Sequence, residues 1–532
     1  MVQFTPVAAL LRRWRRPRNP LFPFLPSSLL ENPRPFSSAL SRIESLDIES
    51  SSSSSSSSSE DDDLRRRILR LRFPRRSATE VLERWVGGDG EITIFELRRI
   101  IVELRRAGRY KHALEILTWM ESCRNFQLSS SDHATRLDLI TKLHSITEAE
   151  EYFGKLSGSA SRKSASFPLL HYYVKTRDLE KAETLMAKLQ NDGMAVDPHP
   201  FNEMMKLYVA TGQYGKVLSV IQHMKRSKIP CNVLSYNLWM NACGEVSGPT
   251  SVEMVHKEMV NDKNIEVGWS TYSTLAGIYT KYGLCHQACA ALRTAEKKLS
   301  VTKRLGYSFI MTLYASLNDK EGVLRLWESS KRVPGRITCA NYMCMLLCLV
   351  KVGDLGEAER VFRTWESECR KYDVRVSNIL LGAYVRKGWM DKAEKLHLHT
   401  LEKGALPNYK TWEILMEGWV KTKRMDRAVE AMKKGFSMLK RCHWRPPPAI
   451  VEAIAKYFEE QGNIEGTRKY MKVLQGLQIM SLPLYKCFLR TYINANIMPP
   501  NIFKMIARDQ IDLDEETKEL ILCASKVNTS GA

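Results

Sequence analysis

The stretch Asn341–Glu368, NYMCMLLCLVKVGDLGEAERVFRTWESE, contains two amphipathic patterns separated by a glycine. In its first half, apolar residues follow the i, i+3, i+4, i+7, i+8 spacing of one helix face, at Tyr342, Met345, Leu346, Leu349 and Val350. Gly353 supplies the left-handed backbone that ends such a helix, and Asp354 can cap the next one. The second half has its own apolar stripe, at Leu355, Ala358, Val361, Phe362 and Trp365. The stretch therefore predicts a helical hairpin.

The same pattern recurs at intervals of 33 to 36 residues along most of the chain. One column of the repeat is a small residue, at Ala113, Ala149, Ala182, Val217, Val252, Ala288, Val323, Ala358, Ala393 and Ala428. A second column is aromatic, at Phe201, Tyr236, Tyr272, Tyr307, Tyr342, Trp412 and Tyr485. A third column is glycine, at Gly108, Gly212, Gly283, Gly353, Gly388 and Gly462. Because one such hairpin cannot bury its apolar faces alone, the sequence predicts an all-α solenoid of stacked hairpins.

The composition points to a polyanionic partner. The chain has 532 residues, 44% of them hydrophobic, and a formal net charge of +21. Such a surplus of positive charge is typical of proteins that bind nucleic acid or an anionic membrane surface. A membrane span is not expected, because apolar runs such as Met343–Val350 are far shorter than the roughly 20 residues needed to cross a bilayer.

The N-terminal segment 1–36 resembles an organelle transit peptide. It contains six arginines and one acid, Glu31, together with many Pro, Leu and Phe residues. The sequence Arg34-Pro35-Phe36-Ser37 resembles the R-x-[F/Y]-S site at which plant mitochondrial presequences are often cut. We therefore expect the protein in the mitochondrion, with the chloroplast as the alternative. Cleavage after Phe36 would leave a net charge of +16.

Composition also divides the rest of the chain. Residues 37–75 contain the serine run Ser50–Ser59 followed by four acids, and such sequence predicts a disordered linker. We expect degenerate helical repeats over 76–162, the regular repeat array over 163–495, and a helical cap and tail over 496–532.

The repeat resembles the pentatricopeptide repeat of land-plant organelle proteins. The motif [VL]-x-[ST]-[YF]-[NS]-x-[LM] at its start is close to the family consensus in Val233–Asn241 (VLSYNLWMN) and in Val374–Ala393 (VRVSNILLGAYVRKGWMDKA). Plain spacing of about 35 residues resembles the P-type subclass. The resemblance implies a right-handed superhelical solenoid that binds single-stranded RNA in its concave groove.

In this family the fifth and last residues of a repeat together contact one RNA base. The pairs in this chain are Phe167/Asp197, Asn202/Asn232, Asn237/Gly268, Ser273/Lys303, Ser308/Thr338, Met343/Asp373, Asn378/Asn408 and Glu413/Pro447. The resemblance implies that Asn/Asn favours a pyrimidine, because the amide offers a donor and an acceptor to a base edge. The predicted RNA-binding residues are Asn202, Asn232, Asn237, Ser273, Lys303, Ser308, Thr338, Asp373, Asn378 and Asn408. Phe167, Met343 and Glu413 depart from the pattern.

Each of these assignments has a structural alternative. An asparagine near a helix start can simply cap that helix. The aromatic column could stack on bases, but its helical spacing favours packing in the core. Basic residues in the turns, such as Lys298, Lys303 and Arg304, could neutralise phosphates or lie in solvent at helix ends.

No enzymatic function is predicted. The twelve cysteines include no CxxC pair, no P-loop occurs, and the sequence after residue 482 has no histidine for the H-x-E zinc site of a C-terminal deaminase domain, so we expect no metal, cofactor or catalytic residue. Three functions remain: an organellar RNA-binding protein that supports transcript processing, stability or translation, a structural component of the mitochondrial ribosome, and a protein-interaction scaffold. The basic surplus favours the first over the third. Ribosomal subunits or other RNA-processing proteins are the further partners that we expect.

Overall fold

The computed structural model describes residues 64–71, 76–88, 90–123, 126–438, 444–497, 505–506, 508–509 and 511–526. Within these ranges the chain forms 26 α-helices and no β-strand, so the prediction of an all-α fold is confirmed. The proposed transit peptide and the serine run lie outside the described residues. The chain divides into two compact units, residues 1–238 and 239–532.

The first unit contains ten helices and the start of an eleventh. They are α1 Leu64–Arg70, α2 Ala78–Val86, α3 Ile94–Arg106, α4 Tyr110–Ser122, α5 Ser130–Leu143, α6 Ile146–Lys155, α7 Ser159–Thr176, α8 Leu179–Asn191, α9 Pro198–Ala210, α10 Tyr214–Arg226 and α11 Val233–Val246, which ends in the second unit.

The second unit continues with helices of similar length. They are α12 Pro249–Asn261, α13 Trp269–Lys281, α14 Cys285–Lys297, α15 Leu305–Ser316, α16 Lys320–Lys331, α17 Cys339–Lys351, α18 Leu355–Glu368, α19 Val374–Arg386, α20 Met390–Glu402, α21 Tyr409–Lys421, α22 Met425–Ser437, α23 Pro448–Glu460, α24 Ile464–Gly476, α25 Leu482–Asn494 and α26 Glu515–Lys526.

From α3 to α25 the odd-numbered helices are the first helices of hairpins and the even-numbered helices are the second. In the second unit, each first helix from α13 to α23 packs against the next first helix, whereas no two successive second helices in its described part make comparable contact. In the first unit, α7 likewise packs against α5 and α9. We call the side formed by the first helices of each unit the first-helix row.

The small-residue column is fully buried. All ten members lie on second helices, and each is 0% exposed. A larger side chain there would push the two helices apart, because protein interiors are close-packed. The aromatic column is also packed in the core, with only Tyr272 half-buried, as its spacing predicted.

The glycine column ends the first helices. All six glycines have positive φ, between 60° at Gly462 and 83° at Gly353, as the helix-ending prediction requires. Where a hairpin lacks the glycine, another residue adopts the same conformation: Arg177, Asn318 and Lys423 have φ of 60°, 57° and 58°. The turn geometry therefore persists where the consensus residue is absent.

Polar contacts between neighbouring hairpins repeat as well. Tyr173 Oη donates to Glu150 Oε1 at 2.6 Å, and Lys181 Nζ lies 2.8 Å from the same oxygen. One hairpin later, Tyr208 Oη donates to Glu183 Oε1 at 2.9 Å, with Lys216 Nζ at 2.7 Å. We call each set an inter-hairpin clamp, since the aromatic residue and the carboxylate belong to different hairpins.

The second unit uses the same clamp with other residues. Tyr384 Oη donates to Glu359 Oε1 at 2.8 Å. Trp419 Nε1 donates to Glu394 Oε1 at 2.7 Å, and Arg427 binds the other oxygen of that carboxylate at 2.6 Å. The clamps join successive hairpins through groups that the apolar pattern does not specify.

The prediction of a disordered linker over residues 37–75 is wrong at its C-terminal end, because residues 64–70 form helix α1. Leu64, Ile68 and Leu71 are buried in the core of the first hairpins. These residues are spaced i, i+4, i+7 and share one helix face, although arginines separate them. Among the described residues, no helix combines the length and hydropathy needed to cross a membrane.

Candidate nucleic-acid interface

The predicted fifth residues lie on first helices, near their N-termini. Asn202 is on α9, Asn237 on α11, Ser273 on α13, Ser308 on α15 and Asn378 on α19. The predicted last residues lie one or two positions before the following first helix. This placement brings some fifth and last residues together between neighbouring hairpins.

Asn202 and Asn232 form a direct side-chain pair in the first unit. Asn202 Nδ2 donates to Asn232 Oδ1 at 3.1 Å, and Ser235 Oγ donates to Asn202 Oδ1 at 2.8 Å. The backbone N–H of Ser235 also donates to Asn232 Oδ1, at 3.0 Å. The amide of Asn202, which is 2% exposed, is thus held by two groups of the next hairpin.

Asn378 and Asn408 repeat this arrangement in the second unit. Asn378 Nδ2 donates to Asn408 Oδ1 at 3.1 Å, and Thr411 Oγ1 donates to Asn378 Oδ1 at 3.0 Å. The Thr411 backbone N–H donates to Asn408 Oδ1 at 3.0 Å. The same polar groups therefore recur: two asparagine side chains, one hydroxyl and one backbone N–H. A threonine replaces the serine.

The capping alternative applies to the last residues rather than the fifth. Asn408 and Thr338 cap α21 and α17, each in a reciprocal capping box, and Asp373 caps α19. Asn202 and Asn378 lie inside their helices and cap nothing. For these two, the cap interpretation is wrong.

Asn237 differs because its side-chain oxygen lacks a partner. The residue is 8% exposed, and its Oδ1 has no hydrogen-bond partner among the described residues. A buried acceptor without a donor costs about 1–3 kcal/mol.

The two predicted serines have different environments. Ser273 Oγ donates to the carbonyl oxygen of Trp269 in its own helix, at 2.8 Å. Ser308 Oγ accepts a long bond of 3.4 Å from Asn341 Nδ2, and Asn341 forms the capping box with Thr338. Ser308 and Thr338 are thus linked through Asn341 and not directly.

The charged candidates are largely compensated. Asp373 pairs with Arg375 at 2.7 Å. Burial acts to raise the pKa of Asp373, but the hydrogen bonds from Arg375 lower it below its ordinary value. Lys303 is exposed in the turn before α15. Arg304, a candidate for phosphate contact, instead donates to main-chain carbonyls that include Ser330 at 2.9 Å.

Glu413 departs from the expected pattern, but its charge has partners. Its carboxylate accepts from Trp444 Nε1 at 2.9 Å and pairs with Lys410. These partners offset the negative charge of Glu413, which would otherwise repel nearby phosphates.

A further column of the repeat, which the sequence patterns above did not identify, consists of basic residues at the C-terminal ends of first helices. Its members are Lys175, Lys281, Lys351, Arg386 and Lys421. Lys351 Nζ bonds Ser316 Oγ of the neighbouring first helix at 2.8 Å, and Lys281 pairs with Glu245. The 35-residue intervals from 351 to 386 and 421 would have revealed the column, had the charged residues been phased with the apolar ones.

No group of three or more His, Cys, Asp or Glu side chains in the described part of the chain could hold a metal ion. The first helices of each unit instead offer amides and hydroxyls near their N-termini and cationic side chains at their C-terminal ends. These groups suit hydrogen bonding to base edges and neutralisation of phosphates.

Comparison with known proteins identifies relatives over most of the chain. The family profile described as pentatricopeptide repeat domain matches residues 184–246, and the PPR repeat profile matches residues 376–404. A pentatricopeptide repeat-containing protein of Arabidopsis thaliana is 53% identical over 448 residues, which are 84% of this chain and 91% of that protein. Another, whose name includes the word mitochondrial, is 30% identical over 449 residues, 84% of this chain and 83% of that protein.

The solved structures that match the chain have lower sequence identity to it than these relatives. The crystal structure of pentatricopeptide repeat protein PPR10 from maize has 17% sequence identity and a TM-score of 0.37, covering 95% of this chain and 77% of that one. A crystal structure of PPR10 with an 18-nt psaJ RNA element has 15% identity and a TM-score of 0.35, covering 88% and 77%.

Proposed function

Because the chain belongs to the pentatricopeptide repeat family, we propose that it binds single-stranded RNA along the first-helix rows of its repeat array. Repeats of this family read one base each with two or three side chains. The observation that carries the proposal is the duplicated amide pair, Asn202–Asn232 and Asn378–Asn408, at matching repeat positions. Two matching polar arrangements, one on the first helices of each unit, are not needed for helix packing, which apolar residues supply.

A further observation supports RNA as the ligand. The basic column from Lys281 to Lys421 repeats along the first-helix row, where phosphates of a bound strand would require positive charge.

We assign the RNA-binding array to residues 163–495 and a helical cap to residues 496–532. The pairs Ser273/Lys303, Ser308/Thr338 and Met343/Asp373 belong to the same proposed interface with weaker base preference, because none of them forms a direct amide pair. The regular spacing of about 35 residues supports membership of the P-type subclass, which we propose.

We further propose that the protein acts in the mitochondrion on processing, stability or translation of a transcript. The arginine-rich, acid-poor segment 1–36 supports this location. The names of several relatives include the word mitochondrial, which is consistent with it.

Sequencing of RNA cross-linked to the tagged protein in plant mitochondria tests the proposal. We expect enrichment of a few transcript sites with pyrimidines at fixed positions. Uniform recovery of ribosomal RNA, with co-sedimentation of the protein and ribosomal subunits, would instead support the ribosomal component. Recovery of proteins without RNA would support the scaffold and contradict the proposal.

A further inference from the structure

The orientation of the Asn202 amide follows from an obligatory donor in the next hairpin. A backbone N–H can only donate, so the Asn232 atom that Ser235 N–H contacts at 3.0 Å must be the oxygen. The Asn202 group that faces this oxygen at 3.1 Å must then be the NH₂ group. The carbonyl oxygen of Asn202 is left pointing toward the Ser235 hydroxyl.

The hydroxyl of Ser235 has one proton and two acceptors within reach. Its oxygen lies 2.8 Å from Asn202 Oδ1 and 3.1 Å from Asn232 Oδ1. Asn232 Oδ1 already accepts two bonds, so the proton belongs to Asn202 Oδ1. The hydroxyl oxygen in turn accepts from the Asn232 backbone N–H at 3.2 Å.

The same reasoning holds for Thr411. The Asn408 backbone N–H donates to Thr411 Oγ1 at 3.2 Å, and Asn408 Oδ1 accepts from the Thr411 backbone N–H and from Asn378 Nδ2. The hydroxyl proton is therefore donated to Asn378 Oδ1, at 3.0 Å. Two hairpins in different units build the same closed network.

We propose that Ser235 and Thr411, the third residues of the following repeats, are positioning residues that fix which amide edge Asn202 and Asn378 present to a nucleobase. The proposal rests on the proposed function. With both inner contacts made, each fifth-residue amide retains one N–H and one carbonyl lone pair. This pair of groups matches a base edge that carries an acceptor beside a donor, as the Watson–Crick edge of a pyrimidine does.

Loss of either hydroxyl would leave the buried amide oxygen without its inner donor. The oxygen would then compete for any available N–H, and the amide would hold its orientation through one contact instead of two. A neutral hydrogen bond contributes about 0.5–1.5 kcal/mol, which corresponds to about a 2- to 10-fold change in an equilibrium constant. We expect that change in discrimination between bases rather than in phosphate contact.

The experiment compares Ser235→Ala and Thr411→Ala with the wild-type chain on a randomised single-stranded RNA pool, sequenced after equilibrium binding. In the wild type we expect base preference at distinct positions of the enriched motif. Ser235→Ala should reduce the preference at one position by about 2- to 10-fold, and Thr411→Ala should reduce it at another. Each variant is thus the internal control of the other.

Two further variants test whether the hydroxyl that bonds the amide sets the base preference. Ser235→Thr keeps the hydroxyl, so this variant should retain the wild-type motif. Thr271→Ala removes a hydroxyl at the same repeat position, but this hydroxyl donates to Met259 Sδ, at 3.8 Å, and not to an asparagine amide, so the motif should be unchanged.

The outcomes distinguish this inference from the proposed function. Absence of RNA binding by the wild type would overturn both. RNA binding in which the hydroxyl variants keep the full base preference, or lose affinity equally for all sequences, would overturn the positioning role alone.

Discussion

Asn202 and Asn378 place a polar amide where the helix surface is buried, and such a group is tolerated only if its atoms have partners. The next hairpin supplies these partners through its cap residue and its third residue. The sequence pattern predicted the Asn/Asn pairs from the family resemblance. It did not predict the roles of Ser235 and Thr411, because those contacts join residues 33 positions apart and depend on how two hairpins stack.

The substitution Asn378→Asp tests the amide directly. A carboxylate has no N–H to offer Asn408 Oδ1, so two oxygens would face each other near a predicted base site. We expect RNA affinity to fall about 10-fold or the preferred base to change at one position, consistent with loss of a bidentate contact of about 1–3 kcal/mol. Fluorescence anisotropy with the enriched RNA measures this. The exposed Asn264→Asp is the control, and an equal effect there would remove the argument for a base-reading amide.

The glycine column makes a separate prediction about stability. Gly353 has φ of 83°, and a methyl group at its Cα would meet no atom of the described residues within 4 Å, so the cost of Gly353→Ala is a backbone cost alone. We expect the free energy of unfolding to fall by about 1–2 kcal/mol. Gly356→Ala, inside α18, should have no such cost and serves as the matched control. Chemical denaturation monitored by circular dichroism would show the difference, and equal stability of the two variants would contradict it.

At the scale of helices, the inter-hairpin clamps make stability depend on pH. Hydrogen bonding from Lys181 and Tyr173 lowers the pKa of Glu150, and Lys216 with Tyr208 does the same for Glu183. Because the folded-state pKa lies below the ordinary value of 4.5, this stabilisation is present above pH 4.5 and is lost as the pH falls through the folded pKa. We expect the thermal midpoint to drop below pH 4.5.

The variant Glu183→Gln checks that the clamp causes this dependence. It should lower the midpoint at neutral pH and reduce the further loss in acid, because one titrating carboxylate is gone. An unchanged pH profile would show that other carboxylates dominate acid unfolding. Glu80→Gln, on the exposed side of α2, is a suitable control.

The basic column predicts how salt weakens RNA binding. For single strands, the slope of log K against log salt is about −0.7 for each phosphate neutralised. We therefore expect Lys351→Gln to reduce the magnitude of the slope by about 0.7. Lys469→Gln, at an exposed position on second helix α24, should leave the slope unchanged. Equal slopes for the wild type and both variants would show that Lys351 contacts no phosphate.

The elements themselves could be predicted well, since the small-residue and glycine columns directly reflect helix packing and helix ends. Helix α1 was missed because arginines dominate its short sequence and obscure the spacing of Leu64 and Ile68. The clamps were missed for a different reason. Their tyrosines fit an apolar stripe, and their carboxylates look like ordinary exposed charges until the hairpins are stacked.

At the scale of the whole molecule, the charge of +21 can now be assigned to parts of the chain. Arginines of the N-terminal segment account for some of it, and many basic residues in the array are paired within clamps or turns. The exposed turn lysines and the basic column remain as candidates for phosphate contact, and within that column Lys281 also pairs with Glu245 and Lys421 with Glu417. The net charge predicted a polyanionic partner. Only the contacts in the structure show which basic side chains pair with other groups of the protein.

The most direct test of the account is an equilibrium titration of the full chain with single-stranded RNA at about 50 and about 200 mM salt. If four residues of the basic column each neutralise one phosphate, the affinity should fall about 50-fold between the two conditions. Base preference should persist at both, because the amide pairs carry no charge. Absence of binding at the lower salt concentration would contradict the account, since even non-specific phosphate contacts are detectable there.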